Sequence, residues 1–275
     1  MTGEANARIP RVLSIAGSDS GGGAGIQADL KAFAACGVHG MTAITAITAQ
    51  NTLGVTAVHA VPPEVIVAQV RAVAQDIGVD AVKIGMLGTV ETIDAVARAL
   101  DELPEQTPVV LDPVMVAESG ARLLERDAED ALARRMLVRA TVVTPNVAEA
   151  RVLAATGGAA GDDTAVEQLA RAIQALGRGA VVVTGGHRAS AIDLFFDGER
   201  LEAIAGEHHR QADAHGSGCT HSSVLAARLA WGDDPLAAAR AAKAIAARAV
   251  AAGLGEIGAG AGPVNVLGIG QAGTS

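Results

Sequence analysis

The chain has 275 residues, half of them apolar, which fits one large α/β domain with a sizeable core. Its formal net charge of −9 argues against binding to nucleic acid and to anionic membrane surfaces. Two cysteines, Cys36 and Cys219, are too few for a disulfide framework, so a reducing, cytoplasmic location is predicted. The most alanine-rich stretch, 236–252, contains three basic residues, which indicates a buried helix and not a membrane span.

The first predicted strand, 11–16, runs into the glycine-rich segment 17–25, and a helix follows. This is not a Walker A loop, because no lysine follows a glycine, and it is not a GxGxxG fingerprint, because Ile26 stands at the last position. The glycines instead allow the main chain to approach a small ligand closely, with Asp19 and Asp29 nearby. A solvated acid in the first turns of a helix is the competing interpretation of Asp29.

Polar side chains also follow the next strands. A strand at 41–48 leads to Gln50, whose amide suits the edge of a heteroaromatic ring, although an isolated glutamine is more often a turn residue. A strand at 108–111 delivers Asp112, which suggests a phosphate or metal role or, alternatively, a cap. Helices are predicted at 26–36, 62–77, 89–103, 128–138, 164–176, 222–230 and 234–252.

The second half repeats this arrangement. Asn146 and Glu149 follow a strand at 141–144, and their spacing fits a capping box, which is the simpler interpretation. A strand at 180–183 ends in Thr184-Gly185-Gly186-His187. Two further strands, 191–196 and 201–204, flank Asp197-Gly198, a hairpin signal.

The segment His215-Gly216-Ser217-Gly218-Cys219-Thr220 precedes a helix. Two glycines at a helix mouth allow backbone N–H groups to converge on one point, which the helix dipole makes electropositive. The most common ligand of such a point is phosphate, and Cys219 would then lie beside the reacting group. A glycine-rich turn with a buried cysteine is the competing interpretation.

Alternation of strands and helices predicts a parallel sheet covered on both faces, with ligands at the carboxyl ends of its strands. The sequence shows no linker and no internal repeat, so a single domain over 1–275 is predicted, with flexible tails at 1–10 and about 266–275. The first ten residues are too short and too polar for a signal peptide.

Seven short motifs carry a specific resemblance. They are Gly17-Ser18-Asp19 with Gly22-Gly23-Ala24-Gly25-Ile26-Gln27-Ala28-Asp29-Leu30, Ala49-Gln50-Asn51-Thr52, Lys83-Ile84-Gly85-Met86-Leu87, Asp112-Pro113-Val114-Met115, Thr144-Pro145-Asn146 with Glu149, Gly185-Gly186-His187 and His215-Gly216-Ser217-Gly218-Cys219-Thr220. In this order they resemble the hydroxymethylpyrimidine/phosphomethylpyrimidine kinases of thiamine biosynthesis, in the ribokinase-like superfamily. The resemblance extends from about Arg11 to about Asn265.

The resemblance implies a three-layer α/β/α fold with a mostly parallel central sheet. It implies ATP-dependent phosphorylation of 4-amino-5-hydroxymethyl-2-methylpyrimidine and then of its monophosphate, with ATP and Mg²⁺ as cofactors. It also implies a homodimer. The implied substrate-binding residues are Gln50, at the pyrimidine edge, and Ala24, Asp29, Met86 and Val114. The implied nucleotide-binding residues are Asp112, Asn146, Glu149, Thr184 and His187, of which Asp112 and Glu149 would hold Mg²⁺, partly through water. The implied catalytic residues are Gly216, Ser217, Gly218 and Cys219, which would form the anion hole.

Cys219 stands where many superfamily members have an aspartate base. A thiol has a reference pKa of about 8.5, which a helix N-terminus lowers and bound phosphates raise. Cys219 is therefore expected to be the base for the alcohol. The alternative is that it only shapes the pocket, with the proton leaving late to phosphate or water.

Four residues, at three places in the chain, depart from the family pattern. Glu118 and Thr184 stand where relatives often have lysine, and Asp213-Ala214 replaces a frequent Asn-Thr pair. A pyridoxine or pyridoxal kinase is one alternative, although the context of Gln50 and Met86 favours the pyrimidine. A ligand-binding protein that retains the fold without catalysis is the other.

Overall fold

The computed structural model describes residues 8–117, 120–158, 164–185, 191–207 and 214–270. Its strands are β1 Arg11–Ala16, β2 His39–Ile44, β3 Ala46–Asn51, β4 Gly54–Ala60, β5 Ala81–Ile84, β6 Val109–Leu111, β7 Val142–Val143, β8 Ala180–Val183, β9 Asp193–Phe196 and β10 Leu201–Ile204. Its helices are α1 Gly25–Ala35, α2 Pro63–Asp76, α3 Val90–Leu100, α4 Ala128–Met136, α5 Val147–Thr156, α6 Val166–Gly177, α7 Ser217–Ala230 and α8 Pro235–Ala251, with a 3₁₀ turn at Leu137–Arg139.

Eight strands form the central sheet in the order β10-β9-β8-β7-β6-β5-β1-β2. The six strands from β8 to β2 run parallel, and only β9 and β10 run antiparallel to their neighbours. Strands that are buried on both faces read as continuous apolar runs, and all four residues of β8 are buried. The prediction of a mostly parallel sheet is therefore confirmed.

Helices cover both faces of this sheet. Along β1, Leu13 and Ile15 pack into a core with α2 to α6, whereas Val12 packs into a second core with α1, α7 and α8. Alternate strand residues therefore serve two separate cores, as a strand with a two-residue period requires. The predicted three-layer α/β/α fold is confirmed.

Several predicted helix caps are present, and one prediction is wrong. Thr89 accepts a hydrogen bond from the Thr92 amide (3.2 Å), and Asp234 accepts from the amides of the first turn of α8. Thr164 is not the cap of α6, because the helix begins at Val166 and its N-cap is Ala165.

The predicted strand 41–48 is two strands that belong to different sheets. β2 ends at Ile44 within the central sheet, and β3 then pairs with β4 in a separate antiparallel hairpin. Strand β4 was not predicted, because its last five residues are all exposed and give no core-facing alternation. Gln50 therefore lies on a hairpin outside the central sheet.

The predicted C-terminal tail is described only as far as Gly270. Over that part it has no helix or strand, but Asn265 exchanges two hydrogen bonds with the backbone of Ile269. Residues 1–7 and 271–275 lie outside the described residues, so the single-domain extent stays a prediction. Within the described ranges, no helix has both the length and the apolar character that crossing a membrane requires.

Candidate active site

A cavity of about 730 Å³ lies at the carboxyl ends of the parallel strands, where the sequence predicts a ligand site. It is lined by residues at the ends of β1, β6, β7 and β8 and by the first turn of α7. The predicted site residues that line it are Ala24, Gln50, Met86, Asp112, Val114, Asn146, Glu149, Thr184, Gly216, Ser217, Gly218 and Cys219. The structure thus brings together nearly all the residues implied by the motifs.

The glycine turn at residues 215–219, called the anion turn below, opens α7. The helix begins at Ser217, five residues earlier than predicted, and Gly216 is its N-cap with φ 81°. The Ser217 amide donates to the Ala214 carbonyl (2.9 Å), so this amide is engaged within the chain. A side chain at Gly218 would meet nothing within 4 Å, which leaves room for a ligand beside the helix mouth.

The anion turn is electropositive by its backbone. Among the described residues, the first turn of α7 has no acidic side chain and no side-chain cap. Within the turn itself no side chain offsets the helix dipole, so the backbone at this end favours an anion.

Gln50 lies on β3 and is held by its backbone. Its carbonyl accepts from the Ser20 hydroxyl (2.6 Å), and the same hydroxyl accepts from the Gln50 amide (2.8 Å). The side-chain oxygen of Gln50 accepts a longer bond from Thr48 (3.3 Å). Met86 and Val114 add apolar surface to the same cavity.

Asp29 was expected at the pyrimidine pocket, but the structure places it behind the cavity wall. It is fully buried and pairs with the Lys83 ammonium at 2.9 and 3.1 Å. Hydroxyls of Ser14 (2.5 Å) and Ser223 (2.7 Å) also donate to it. Lys83, not Asp29, is the member of this cluster that lines the cavity. Burial opposes the charge on Lys83, but the carboxylates of Asp29 and Asp112 raise its pKa.

Asp112, directly after β6, and Glu149, in the first turn of α5, form a buried acidic pair. Ser222 donates to Asp112 (2.9 Å), and the Met115 amide donates to Glu149 (3.4 Å). Burial and the nearby Asp112 charge raise the pKa of Glu149 to about 8. Burial also raises the pKa of Asp112, against the opposing effect of Lys83.

The predicted capping box at α5 is confirmed. The Asn146 side chain accepts from the Glu149 amide (2.9 Å), and the Glu149 carboxylate accepts from the Asn146 amide (2.9 Å). Glu149 nevertheless lines the cavity. The structural and the functional interpretations of this pair are thus compatible, because one carboxylate oxygen caps the helix while the group faces the site.

The base role expected of Cys219 stays a prediction, and the surroundings of the thiol oppose the thiolate that this role requires. Cys219 is half-buried, and burial raises the pKa of its thiol to about 12. The charge of Lys83 lowers this pKa, but those of Asp29 and Asp112 raise it further. Burial and the nearby acids therefore oppose formation of the thiolate in the free protein.

Thr184 directly follows β8 and lines the cavity, and its amide donates to the Pro145 carbonyl (2.8 Å). His187, expected near the nucleotide, lies outside the described residues. So do Glu118 and Asp213, two of the positions that depart from the family pattern.

Sequence reasoning did not assign a second polar cluster of the cavity. The Asp193 carboxylate lies 2.7 Å from the Lys243 ammonium and 3.3 Å from His221, and it accepts from the Gly185 amide (2.9 Å). Against the effect of burial, His221 and Lys243 lower the pKa of Asp193. These residues come from a strand and two helices that are far apart in the sequence, so no local spacing could reveal them.

Comparison with known proteins agrees with this geometry. A family model described as phosphomethylpyrimidine kinase matches residues 19–265. The hydroxymethylpyrimidine/phosphomethylpyrimidine kinase of Rhizobium meliloti is 52% identical over 257 residues, which cover 92% of this chain and 95% of that protein.

Two solved structures extend the comparison. Pyridoxal kinase from Staphylococcus aureus, in complex with AMP-PCP and pyridoxal, has a TM-score of 0.84 and 33% identity, covering 96% of each chain. Phosphomethylpyrimidine kinase from Clostridium difficile has a TM-score of 0.72 and 36% identity, covering 86% of this chain and 96% of that chain.

Proposed function

The chain belongs to the phosphomethylpyrimidine kinase family, and from that membership we propose how its own residues carry out the reaction. The protein is a kinase that uses ATP to phosphorylate 4-amino-5-hydroxymethyl-2-methylpyrimidine and then its monophosphate, in thiamine biosynthesis. The observation that carries the assignment of residues is that Gln50 and the anion turn line one cavity.

The acceptor end of the cavity is formed around Gln50. Its side-chain amide has a donor and an acceptor, which match the exocyclic amine and a ring nitrogen of the pyrimidine. Met86, Val114 and Ala24 provide the apolar contacts to the ring and its methyl group. Asp29 lies behind the cavity wall and holds Lys83 in place.

The transfer end is the anion turn. In the reaction the acceptor oxygen attacks the γ-phosphorus, a new P–O bond forms, and the bond to the ADP oxygen breaks. Positioning and charge stabilisation provide most of the catalysis of phosphoryl transfer. The amides at the mouth of α7, at Gly218 and Cys219, stabilise the charge on the migrating group.

The acidic pair fits Mg²⁺. Burial raises the pKa of both carboxylates, and the charge of Asp112 raises that of Glu149 further, so the pair forms a favourable site for a divalent cation. Mg²⁺ binds through one or two carboxylates, water and substrate phosphates, and Asp112 and Glu149 provide the two carboxylates. When bound, the ion neutralises charge on the ATP phosphates. Asn146 orients Glu149, and Thr184 and His187 contribute to the nucleotide side.

Cys219 acts as a protonated thiol that shapes the pocket. Its raised pKa removes most of the thiolate that a base would require. The acceptor proton then leaves late, to the transferred phosphoryl group or to water, which the loose transition state of phosphoryl transfer permits. Catalysis without a base then serves both acceptors, since the monophosphate needs no base either.

The protein is further proposed to be a cytoplasmic homodimer. Both cysteines are free thiols, which suits a reducing compartment. The β3–β4 hairpin carries the exposed apolar side chains Ile47, Leu53 and Val58, which support contact with a second copy. A single species of monomer mass in sedimentation at micromolar concentration would contradict the dimer.

The test of the function is a coupled ADP-release assay with hydroxymethylpyrimidine, its monophosphate and pyridoxal as separate acceptors. Turnover is expected with the first two and at most weak turnover with pyridoxal. Pyridoxal phosphorylation is the second candidate, favoured by the Staphylococcus aureus neighbour, whose complex contains pyridoxal. Turnover with pyridoxal alone would replace the first assignment, and binding without turnover of any acceptor would select a non-catalytic protein.

A further inference from the structure

The glycine-rich segment 17–25, called the acceptor loop here, is organised around one buried carboxylate. Asp19 is 1% exposed and accepts hydrogen bonds from the amides of Gly21 (2.8 Å), Gly23 (3.0 Å) and Ala24 (2.8 Å). Three amides therefore converge on one side chain, which fixes the path of a loop that is rich in glycine and otherwise free to move.

The same carboxylate reaches the anion turn. The Nε2 atom of His215 lies 3.1 Å from Oδ2 of Asp19. Burial raises the pKa of Asp19, but the bonds from His215 and the loop amides outweigh it and lower the pKa. With four partners on two oxygens, Asp19 has little capacity left to bind a ligand directly.

His215 is itself held from two other directions. Its ring lies against Gly23, where an added side chain would overlap the imidazole. Its amide donates to the Gly262 carbonyl (3.3 Å), and its carbonyl accepts from the Val264 amide (3.1 Å). His215 therefore contacts the acceptor loop through its ring and the C-terminal segment through its backbone.

The acceptor loop also holds the ring-binding residue. Ser20, directly after Asp19, exchanges two hydrogen bonds with the backbone of Gln50. The chain of contacts thus runs from Gln50 through Ser20 and Asp19 to His215, and from there along the backbone into Gly216.

We propose that Asp19 and His215 form a positioning pair that sets the distance between the acceptor held by Gln50 and the anion turn. This inference rests on the proposed function, since it concerns the alignment of the same two substrates. Neither residue needs to touch a reacting atom, because both act through the segments that they join.

A positioning role predicts a specific kinetic pattern. Each half of the site stays intact when the pair is broken, so both substrates still bind. The reacting atoms, however, are no longer aligned, and a displacement of about 1 Å costs on the order of 100-fold in rate. Water can then reach the misaligned phosphoryl group, so ATP is hydrolysed without transfer.

The test compares His215→Leu, His215→Gln and a matched control, His39→Leu. The Gln amide nitrogen can take the place of Nε2, whereas leucine cannot. His39 is exposed at the start of β2, the end of the sheet opposite the cavity. We expect His215→Leu to lower kcat about 100-fold, with KM for both substrates within about threefold of the wild type.

Two further readouts separate positioning from a general structural effect. The ratio of ATP consumed to pyrimidine phosphorylated should rise above one in His215→Leu, and His215→Gln should restore kcat to within about tenfold of the wild type. Because Asp19 also holds three loop amides, Asp19→Asn should lower kcat at least as much as His215→Leu, and the Asp19→Asn/His215→Leu double variant should lose no more than the worse single variant.

Several results would overturn the pair. These are a raised KM with unchanged kcat, a fully multiplicative loss in the double variant, or equal effects of leucine and glutamine at position 215. If His215→Leu does not fold, His215→Phe decides the question, because it keeps a ring of similar shape but has no nitrogen to bond Asp19. Failure of the proposed function would be seen separately, as absence of pyrimidine turnover in the wild type.

Discussion

Gly216→Ala is expected to disable the site through its backbone. Gly216 has φ 81° and ψ 10°, a left-handed conformation that costs an alanine about 1–2 kcal/mol. The added methyl group would also overlap the carbonyl oxygen of Gly23, so the anion turn and the acceptor loop must move apart. At about 2–4 °C per kcal/mol, the backbone strain alone lowers Tm by roughly 2–8 °C.

The expected loss of activity is much larger than the loss of stability. A displacement of about 1 Å between the reacting groups lowers kcat/KM by on the order of 100-fold, although the protein remains folded at 25 °C. The assay is kcat/KM for the pyrimidine alcohol by coupled ADP release, with Tm by calorimetry on the same samples.

Gly232→Ala is the matched control for this substitution. Gly232 lies just beyond the opposite end of α7 with φ 95°, and a side chain there would meet nothing within 4 Å. It therefore carries the same backbone strain without the overlap and away from the cavity, so Tm should fall while kcat/KM stays unchanged. Equal kcat/KM in the two variants would refute the argument that the close contact of Gly216 with Gly23 aligns the site.

Four further predictions follow from the site. Gln50→Ala should raise KM for the pyrimidine about tenfold and leave KM for ATP unchanged, as expected for one lost ring contact. Alkylation of Cys219 by iodoacetamide, followed by mass spectrometry, should be slow at pH 7 and rise with pH through pH 9 without a plateau, because its pKa is raised to about 12. Glu149 has a pKa raised from 4.5 to about 8, so without Mg²⁺ the free energy of unfolding in urea should fall as pH rises between these values. Glu149→Gln should reduce that fall. Lys83→Met leaves the buried Asp29 carboxylate without its ion-pair partner and should lower the free energy of unfolding by about 3–5 kcal/mol. The double variant Lys83→Met/Asp29→Asn should recover much of this loss, because it removes the unpaired charge.

Each of these has an outcome that contradicts it. An equal rise in KM for ATP would contradict the proposal that Gln50 binds the pyrimidine ring. In a Cys36→Ser background, an alkylation rate of Cys219 that reaches a plateau near pH 7 would support Cys219 as the base. A loss of turnover in Cys219→Ser that is confined to the alcohol acceptor would support it as well. A free energy of unfolding that rises with pH would refute the raised pKa of Glu149. A Lys83→Met/Asp29→Asn variant as unstable as Lys83→Met would refute the role of the unpaired Asp29 charge.

The sequence predicted the layers of this fold because its parallel strands are continuous apolar runs. It failed where local pattern and tertiary role diverge. β4 was missed because it is mostly exposed. The start of α7 was placed five residues late, since the first turn from Ser217 has poor helix formers and no apolar period.

The site residues show the same division. The order of the motifs was sufficient to predict that Gln50, Asp112 and the anion turn line one cavity. It did not reveal which way Asp29 faces, because that depends on Lys83, a partner on a strand far along the chain. The pKa of Cys219 could not be predicted either, since its direction is set by burial and by charges on other elements.

The separation of the β3–β4 hairpin from the central sheet has a consequence for an enzyme that adds two phosphates in succession. The second acceptor is longer than the first by a phosphoryl group, yet both must present an oxygen to the same rigid helix end. The heterocycle must therefore withdraw between the two steps. A hairpin that shares no ladder with the sheet but is hydrogen-bonded to the acceptor loop keeps Gln50 in register with that loop, so the heterocycle must shift past Gln50 while the site of phosphoryl transfer stays fixed.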